Sequence, residues 1–316
     1  MRCLLMAVVL LVATTLTFNS VVRPESAAGK SLSGGQTTLY AGVGRGPGSA
    51  FGTLLTVDQT TANGTFVGVG PSDPAVGITG LAFDTSGDLF ASTISAPVFG
   101  GSPQSTLVRL NPVTGVQEAL IGTIRLANNT PVVIVDLAVQ PGTDVLFGNS
   151  LNLNTLTSNL YTINKSTAVA TFIGDTGILG ATIAFGPDGT LYQTSADFDN
   201  DGVFIRGFLN TLDPDTAEVL TTSDPFTTAH VGGLAVRPTD GVIFASGGFP
   251  SDIYTLSHDG EQTFIGLTGF GGVGDLAFTP LPTNKDQCKN GGWQDFSFPY
   301  TFKNQGECIQ LVNTGK

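Results

Sequence analysis

The chain has 316 residues, of which 13 are Lys or Arg and 25 are Asp or Glu, so its formal net charge at pH 7 is −12. A chain this acidic is a poor partner for nucleic acid and for anionic membrane surfaces. Only 12% of the residues are charged, whereas 42 are glycine and 21 are phenylalanine. That profile disfavours a helical protein with a charged surface and is typical of many short strands joined by tight turns.

The first residues have the features of a secretory signal peptide. Arg2 precedes an apolar run from Leu4 to about Leu16, and the small residues Ser26-Ala27-Ala28 suit a cleavage site. An uncleaved membrane anchor is the alternative, but the run is shorter than the roughly 20 residues that a span requires. We predict a signal peptide over 1–28 and a leader over 29–36.

Export and charge follow from this assignment. Without the signal peptide the chain keeps 11 basic and 24 acidic residues, a net charge of −13, and has no further apolar run long enough to span a membrane. We expect the mature protein to be secreted, either extracellular or at the cell surface, or in the periplasm if the host has an outer membrane.

Two repeated motifs alternate along the chain. The first, for example GLAFDTSGDLFAS, recurs at intervals of 56, 46, 51 and 42 residues between the anchors Leu81, Leu137, Ile183, Leu234 and Leu276. The second, for example LYTINKSTAVATFIG, recurs at intervals of 53, 53, 49 and 44 residues between the anchors Val57, Leu110, Ile163, Leu212 and Leu256. Interleaved patterns of this period are typical of propeller blades.

Each repeat unit contains four runs of alternating apolar residues, which we name strands a, b, c and d. They occur as b-c-d, then as four complete a-b-c-d sets, and finally as a lone a strand at DLAFTP. We predict an all-β fold over 37–281, a β-propeller of four-stranded antiparallel blades whose ring is closed when the last strand completes the first blade. Five blades are counted. A six-bladed ring is the alternative if an insertion hides a degenerate copy, and a solenoid or a sandwich is the competing architecture.

The two ends of the predicted blades differ in their connections. The a–b and c–d turns are short and uniform, whereas the b–c and d–a loops are long and divergent. Function on a rigid scaffold concentrates on long loops, so we predict that the long-loop face and the channel mouth on that face form the binding surface. Candidates at the mouth are Asp136, His230 and Asp275. The alternative for the acids is capping of backbone N–H groups, and a lone His needs no ligand role.

One long loop contains the segment SADFDNDGVF. It places Asp197, Asp199 and Asp201 at alternate positions before a glycine, as in the opening of an oxygen-ligand calcium loop, and the carbonyl of Val203 is a further candidate ligand. The position that would hold a bidentate Glu is Phe208. A calcium loop and a solvated acidic turn therefore both remain open, and Ca²⁺ is the only cofactor that the sequence predicts.

No catalytic constellation is visible. Two His residues are too few for a metal-hydrolase cluster, and no nucleophile-elbow or phosphate-loop context accompanies them. We expect a monomeric, non-catalytic binding module whose partner is a protein, a glycan or a small molecule. The alternative is a metal-assisted hydrolase, lactonase or lyase at the channel mouth, and a purely structural envelope protein is a third hypothesis.

The GLAF-type repeat resembles a broad class of secreted propellers that includes the NHL-repeat, SMP-30-like and streptogramin-lyase-like proteins. The resemblance covers about Thr37 to Pro280 and implies a fold without specifying an activity. Lactonase-type relatives hold a divalent metal through Glu, Asn and Asp, but those positions do not match residue by residue in this chain.

The tail over 282–316 resembles a short C-terminal module of secreted bacterial proteins, through CKNGGW at Cys288 and FKNQGEC ending at Cys308. These are the only cysteines after the predicted signal peptide, and in an exported chain such a pair predicts one disulfide rather than a zinc site. Surface attachment and simple stabilisation are the alternatives for the role of this module. We expect its apolar cluster to contain Trp293, Phe296, Phe298 and Phe302.

Overall fold

The computed structural model describes residues 37–44, 51–71, 76–94, 104–152, 155–199, 201–227, 230–247, 251–282, 285–294, 296 and 298–314. The predicted signal peptide and leader lie outside these residues, as do parts of the predicted long loops. Within the described residues, no helix has the length and hydropathy needed to cross a bilayer.

The described strands form five sheets, one for each blade. Blade 1 contains β1 (Leu39–Val43), β2 (Thr53–Val57), β3 (Gly64–Val69) and the last strand of the chain, β21 (Val273–Phe278). Blade 2 contains β4 (Gly77–Phe83), β5 (Leu89–Ile94), β6 (Ser105–Leu110) and β7 (Gln117–Thr123). Blade 3 contains β9 (Ile134–Val139), β10 (Leu146–Asn152), β11 (Thr157–Ile163) and β12 (Val169–Asp175), with the two-residue β8 (Arg125–Leu126) parallel to its outer edge.

Blades 4 and 5 repeat this plan. Blade 4 contains β13 (Gly180–Phe185), β14 (Leu191–Phe198), β15 (Phe204–Leu212) and β16 (Val219–Thr222). Blade 5 contains β17 (Gly233–Val236), β18 (Ile243–Ser246), β19 (Asp252–Leu256) and β20 (Gln262–Leu267). The four strands of each meander pair antiparallel, so the a, b, c and d runs of the sequence are the strands of the blades.

The ring is closed by the two ends of the propeller. Strand β21 pairs antiparallel with β1, with Leu39 opposite Phe278 and Gly42 opposite Asp275. Each innermost strand also contacts the innermost strands of both neighbouring blades. The predicted five-bladed propeller, with its first blade built from both ends of the chain, is therefore confirmed.

The hydrophobic core is divided among the blade interfaces. Buried apolar residues form five clusters, and the strands of two adjacent blades contribute to each of them. At the interface of blades 3 and 4, for example, the Phe147 and Phe185 rings meet edge to face with 5.1 Å between centroids. Because each blade packs against a neighbour on both faces, its innermost strand is buried along most of its length, as in β4 and β17.

The short c–d turns have a common local structure. In blade 3 the Asn164 side chain accepts hydrogen bonds from the N–H groups of Ser166 and Thr167, at 2.9 and 3.0 Å, and Ala168 then adopts a φ of 56°. Equivalent side-chain caps occur in blades 1, 2 and 4, at Asp58, Asn111 and Asp213. An Asp or Asn that replaces backbone partners in this way stabilises a turn, which explains the uniform D/N-x-x-T-A/G pattern at this end of the blades.

The C-terminal segment follows β21 as two short 3-10 helices, Lys285–Cys288 and Gly292–Gln294, and one α-helix, α1 (Gln305–Thr314). At the start of α1 the Asn304 side chain accepts the N–H of Glu307, and the Glu307 carboxylate accepts the N–H of Lys303, as in a capping box. The predicted Cys288–Cys308 disulfide is present, with 5.7 Å between the Cα atoms.

Candidate functional site: central axis and long-loop face

The residue that precedes each anchor of the first motif lies at the central axis. In chain order these residues are Gly80, Asp136, Thr182, Gly233 and Asp275. Asp136 belongs to blade 3 and Asp275 to blade 1, yet the two residues meet at the axis, because Asp275 accepts the N–H of Leu81 and the preceding Gly80 packs against the backbone of Asp136. We refer to these two residues as the axial carboxyl pair.

The pair collects backbone N–H groups from all five blades. Asp275 accepts the N–H groups of Leu81 at 2.5 Å, its neighbour Leu276 at 2.7 Å and Leu234 at 3.4 Å. Asp136 accepts the N–H groups of its neighbour Leu137 at 2.7 Å and of Ile183 at 2.6 Å. The five donors are the five anchors of the repeat.

The axial carboxyl pair is completely buried, with 0% of either residue exposed. Burial is the largest influence on both groups and raises both pKa values, that of Asp136 to about 7 and that of Asp275 well above its usual range. The backbone N–H donors act in the opposite direction because they stabilise the charged form.

Glycine in the preceding blade makes room for each member of the pair. A Cβ on Gly80 would lie 2.8 Å from the carbonyl carbon of Asp136, and a Cβ on Gly233 would lie 2.6 Å from the Cα of Asp275. Only glycine therefore fits at the equivalent position of the blade that precedes each axial Asp. The surrounding b strands contribute further buried polar side chains, Ser92, Asn149, Thr194 and Ser246.

His230 lies in a different environment from the pair. Its ring contacts those of Phe198 and Phe204, with centroids 5.6 and 5.9 Å away. Burial lowers its pKa, because the charged imidazolium loses hydration there. The structure thus brings together two of the three predicted channel-mouth residues and places His230 beside the β14–β15 hairpin.

The acidic residues of that hairpin have partners within the chain. The Asp197 carboxylate accepts a hydrogen bond from Arg206 Nε at 2.7 Å. Asp199 Oδ1 accepts the N–H groups of Asp201 and Val203, at 2.9 and 2.8 Å, and so caps the turn. Among the residues that the structure describes, no three His, Cys, Asp or Glu side chains are grouped to hold a metal. The calcium loop remains a prediction, and Asp199 has a structural role of its own.

The hairpin also exposes apolar side chains on the long-loop face. Phe198, Val203 and Ile205 are 39%, 60% and 51% exposed. Together with Phe204 and His230 they form what we call the hairpin patch. Its base is fixed because Gly207 exchanges two backbone hydrogen bonds, of 2.8 and 2.9 Å, with Phe226 of the following loop.

The opposite, short-turn mouth of the channel is apolar and is covered by the C-terminal segment. The ends of all five a strands, including Phe83, Phe185 and Phe278, line a cavity of about 140 Å³, and Gln287 and Phe296 of the C-terminal segment line it as well. Phe296 is only 4% exposed. Phe298 stacks on Phe83 with 6.1 Å between centroids, above the glycine turn at Gly87.

Sequence reasoning placed Asp136 and Asp275 at the channel mouth and gave capping of backbone N–H groups as the alternative, but it missed their pairing with each other and the docking of the C-terminal segment. The docking of Phe296 and Phe298 carries no sequence signal beyond their hydrophobicity, and only Phe296 and Phe302 of the expected aromatic cluster are in ring contact, at 5.9 Å. The axial carboxyl pair does have a signal, since the residue before the anchor changes from Gly to Asp between blades 2 and 3 and again between blades 5 and 1.

Comparisons with known proteins give the fold alone. No family model matches the chain, and no curated protein matches it. Among solved structures, the chain is similar to one described as a nidogen/laminin complex, at 11% identity and a TM-score of 0.46, covering 78% of this chain and 99% of that one. TolB from Acinetobacter baumannii is 16% identical, with a TM-score of 0.44 over 77% of this chain and 67% of that one.

A third similar structure is an exo-β-1,3-galactanase from Phanerochaete chrysosporium, at 9% identity and a TM-score of 0.49 over 72% of this chain and 59% of that one. These three proteins have different functions, and at such identities and TM-scores none of them indicates an activity or a partner for this chain. The chain is a five-bladed β-propeller on the strength of its own strand pairing.

Proposed function

We propose that this chain is an exported, non-catalytic binding module that engages a protein partner through the hairpin patch on its long-loop face. The observation that carries the proposal is the state of the axial carboxyl pair, the two acids placed where a channel-mouth enzyme would need them. Both are fully buried and accept hydrogen bonds from backbone N–H groups, so neither oxygen pair faces a substrate.

The hairpin patch supplies the contact surface. Exposed apolar patches mark protein interfaces, where aromatic side chains and arginine are enriched, and the same hairpin carries the half-exposed Arg206. The loop that follows blade 4 fixes the hairpin base, so little conformational entropy is lost on binding. The disulfide and the resemblance to secreted NHL and SMP-30-like propellers support an exported protein.

The test is a binding measurement with matched variants. Purified protein is screened against arrays of purified extracellular proteins and of glycans, and each hit is measured with Val203→Asp/Ile205→Asp and with Val113→Asp/Val116→Asp. The control pair is equally exposed, at 65% and 57%, but lies on a c–d turn at the opposite end of blade 2. We expect the hairpin variant to lose at least tenfold in affinity while the control is unchanged, and equal loss in both variants would contradict the proposal.

The enzyme alternative is tested separately. The protein is assayed against lactone, ester and glycoside substrates with Ca²⁺, Mg²⁺, Mn²⁺ and Zn²⁺ in turn. Turnover that disappears in a folded Asp136→Asn variant would replace the binding module with a hydrolase, lactonase or lyase acting at the axis.

A further inference from the structure

The two members of the axial carboxyl pair are buried side by side at the axis. Asp275 accepts the N–H of Leu81, and Gly80, the residue before Leu81, packs against the backbone of Asp136. The donors that the described blades direct at the pair are backbone N–H groups. Two carboxylates are both acceptors, so the two groups can hydrogen-bond to each other only when one of them is protonated.

No other charged group is found around the pair among the described residues. The neighbouring a strands contribute Gly80, Thr182 and Gly233 to this layer, and the b strands contribute serine, asparagine, glutamine and threonine side chains. His230 precedes β17 and lies three residues before Gly233, but its ring lies against Phe198 and Phe204. Arg45 and Asp73, in the loops after β1 and before β4, are outside the described residues.

The pair is also placed to hold the ring together. Asp275 is on β21, the strand that closes blade 1, and its partner Asp136 is on blade 3, which is not adjacent to blade 1. Asp275 further bonds to blades 2 and 5, and Asp136 bonds to blade 4. A change in the charge of the pair therefore acts on all five blades at once.

We propose that the axial carboxyl pair is a proton-dependent fastening of the propeller ring, which holds one shared proton in mildly acidic solution and weakens ring closure when that proton is lost. With the proton, the pair carries a single negative charge that the surrounding N–H groups stabilise. Without it, two carboxylates are buried together in a site closed to water, where like charges repel strongly.

The direction of the pH effect follows from the raised pKa values. Between the ordinary pKa of a free Asp, about 4, and about 7, the value for Asp136, the folded chain holds more protons at this site than the unfolded chain. The stability from the pair is therefore fully present below pH ~4 and is lost as pH rises through about 7, by roughly tenfold in the folding equilibrium constant per pH unit for one proton. His230 has a lowered pKa and acts in the opposite direction, since its stabilisation is lost as pH falls.

The experiment compares thermal unfolding of the full mature chain at pH 5, 6, 7 and 8. We expect the Tm of the parent protein to fall as pH rises, by roughly 3–5 °C per pH unit between pH 5 and 7, and the fall to level off above about 7. Asp136→Asn and Asp275→Asn each replace one carboxyl with a permanent hydrogen-bond donor, so the fall with pH should flatten in both. Asp259→Asn removes a charge from an exposed turn and should leave the slope as in the parent. Parallel slopes in the parent and in both axial variants would overturn the proposal.

If the axial variants do not fold, infrared spectroscopy of the parent protein still tests the proposal. The native parent at pH 6 should show the carbonyl stretch of a buried protonated carboxyl group, and this band should be lost reversibly on titration above pH 8. Its absence at pH 6 would refute a shared proton. Neither result depends on the hairpin patch, so this proposal and the proposed binding function can fail independently.

Discussion

The two ends of the central channel are built in opposite ways. Towards the long-loop face the axis is polar, and two buried carboxyl groups collect backbone N–H donors from every blade. Towards the short-turn face it is apolar, and a separate C-terminal segment covers the opening with Phe296 and Phe298. The long-loop end is therefore held together by hydrogen bonds to buried carboxyl groups within the repeats. The short-turn end is covered by apolar side chains of a segment outside the repeats.

This difference bears on which face the proposed partner would contact. Leaving an apolar opening lined by five strand ends exposed to water would cost free energy, and the C-terminal segment removes that cost. We therefore interpret the segment as a structural part of the propeller, and its proposed role in surface attachment remains a separate hypothesis. The exposed apolar surface of the hairpin patch lies on the other face, away from this cover.

The largest effect is expected at the polar end. Asp275→Ala leaves the N–H groups of Leu81, Leu234 and Leu276 without their acceptor and leaves Asp136 buried alone. We expect a loss of about 3–5 kcal/mol in the free energy of unfolding, measured by chemical denaturation. Asp275→Asn, which keeps an acceptor and adds a donor, should lose much less, and equal losses in the two variants would mean that hydrogen bonding is not what matters at this end.

At the apolar end, Phe296→Ala should cost about 3 kcal/mol, because a nearly fully buried aromatic ring is replaced by a void. The same variant should bind a hydrophobic fluorescent dye, since the channel mouth becomes accessible. Phe172→Ala serves as the control, because Phe172 is half exposed on an outer strand, and its loss should stay below about 1 kcal/mol. If both variants behave alike, the C-terminal segment does not cover the mouth.

A smaller effect is expected in the long loop of blade 4. Asp199→Ala removes the acceptor of two turn N–H groups and should cost about 1 kcal/mol, equally with calcium and with chelator. Asp199→Asn, which retains an acceptor, should be nearly neutral. A loss seen only in the presence of calcium would instead support the predicted calcium loop.

The smallest effect concerns the ion pair beside the hairpin patch. Arg206 and Asp197 are each about half exposed, so water screens their attraction. Arg206→Gln should change the free energy of unfolding by less than about 0.5 kcal/mol. A loss above 1 kcal/mol would show that this end of the molecule depends on surface charges as well as on the axial carboxyl pair.

The sequence was sufficient to predict the architecture because the repeat carries it. The anchor spacing predicted five four-stranded blades, and the unpaired a strand at DLAFTP predicted the closure by β21. The cysteine pair likewise predicted the disulfide. These features depend on local patterns or on chain order, both of which are visible in a single sequence.

The sites were less predictable because they depend on distances between blades. Asp136 and Asp275 are 139 positions apart in the sequence and meet only because five blades close around a narrow axis. His230 lies three residues before Gly233 of an a strand, which suggested a place at the channel mouth. Its environment is instead set by Phe198 and Phe204 of the neighbouring blade. The docking of Phe296 depends on the shape of the opposite mouth, which no local pattern records.

The order Gly, Asp, Thr, Gly, Asp at the axis means that the five repeats are not interchangeable. An idealised propeller made from five copies of blade 3 would crowd five carboxyl groups into a space that here holds two, and five copies of blade 2 would leave five inward N–H groups with no acceptor. A design that exchanges whole blades or starts from a consensus repeat must therefore preserve this order of residues, although it involves only one residue in each repeat. The near-fivefold backbone of this protein has a centre that is necessarily asymmetric.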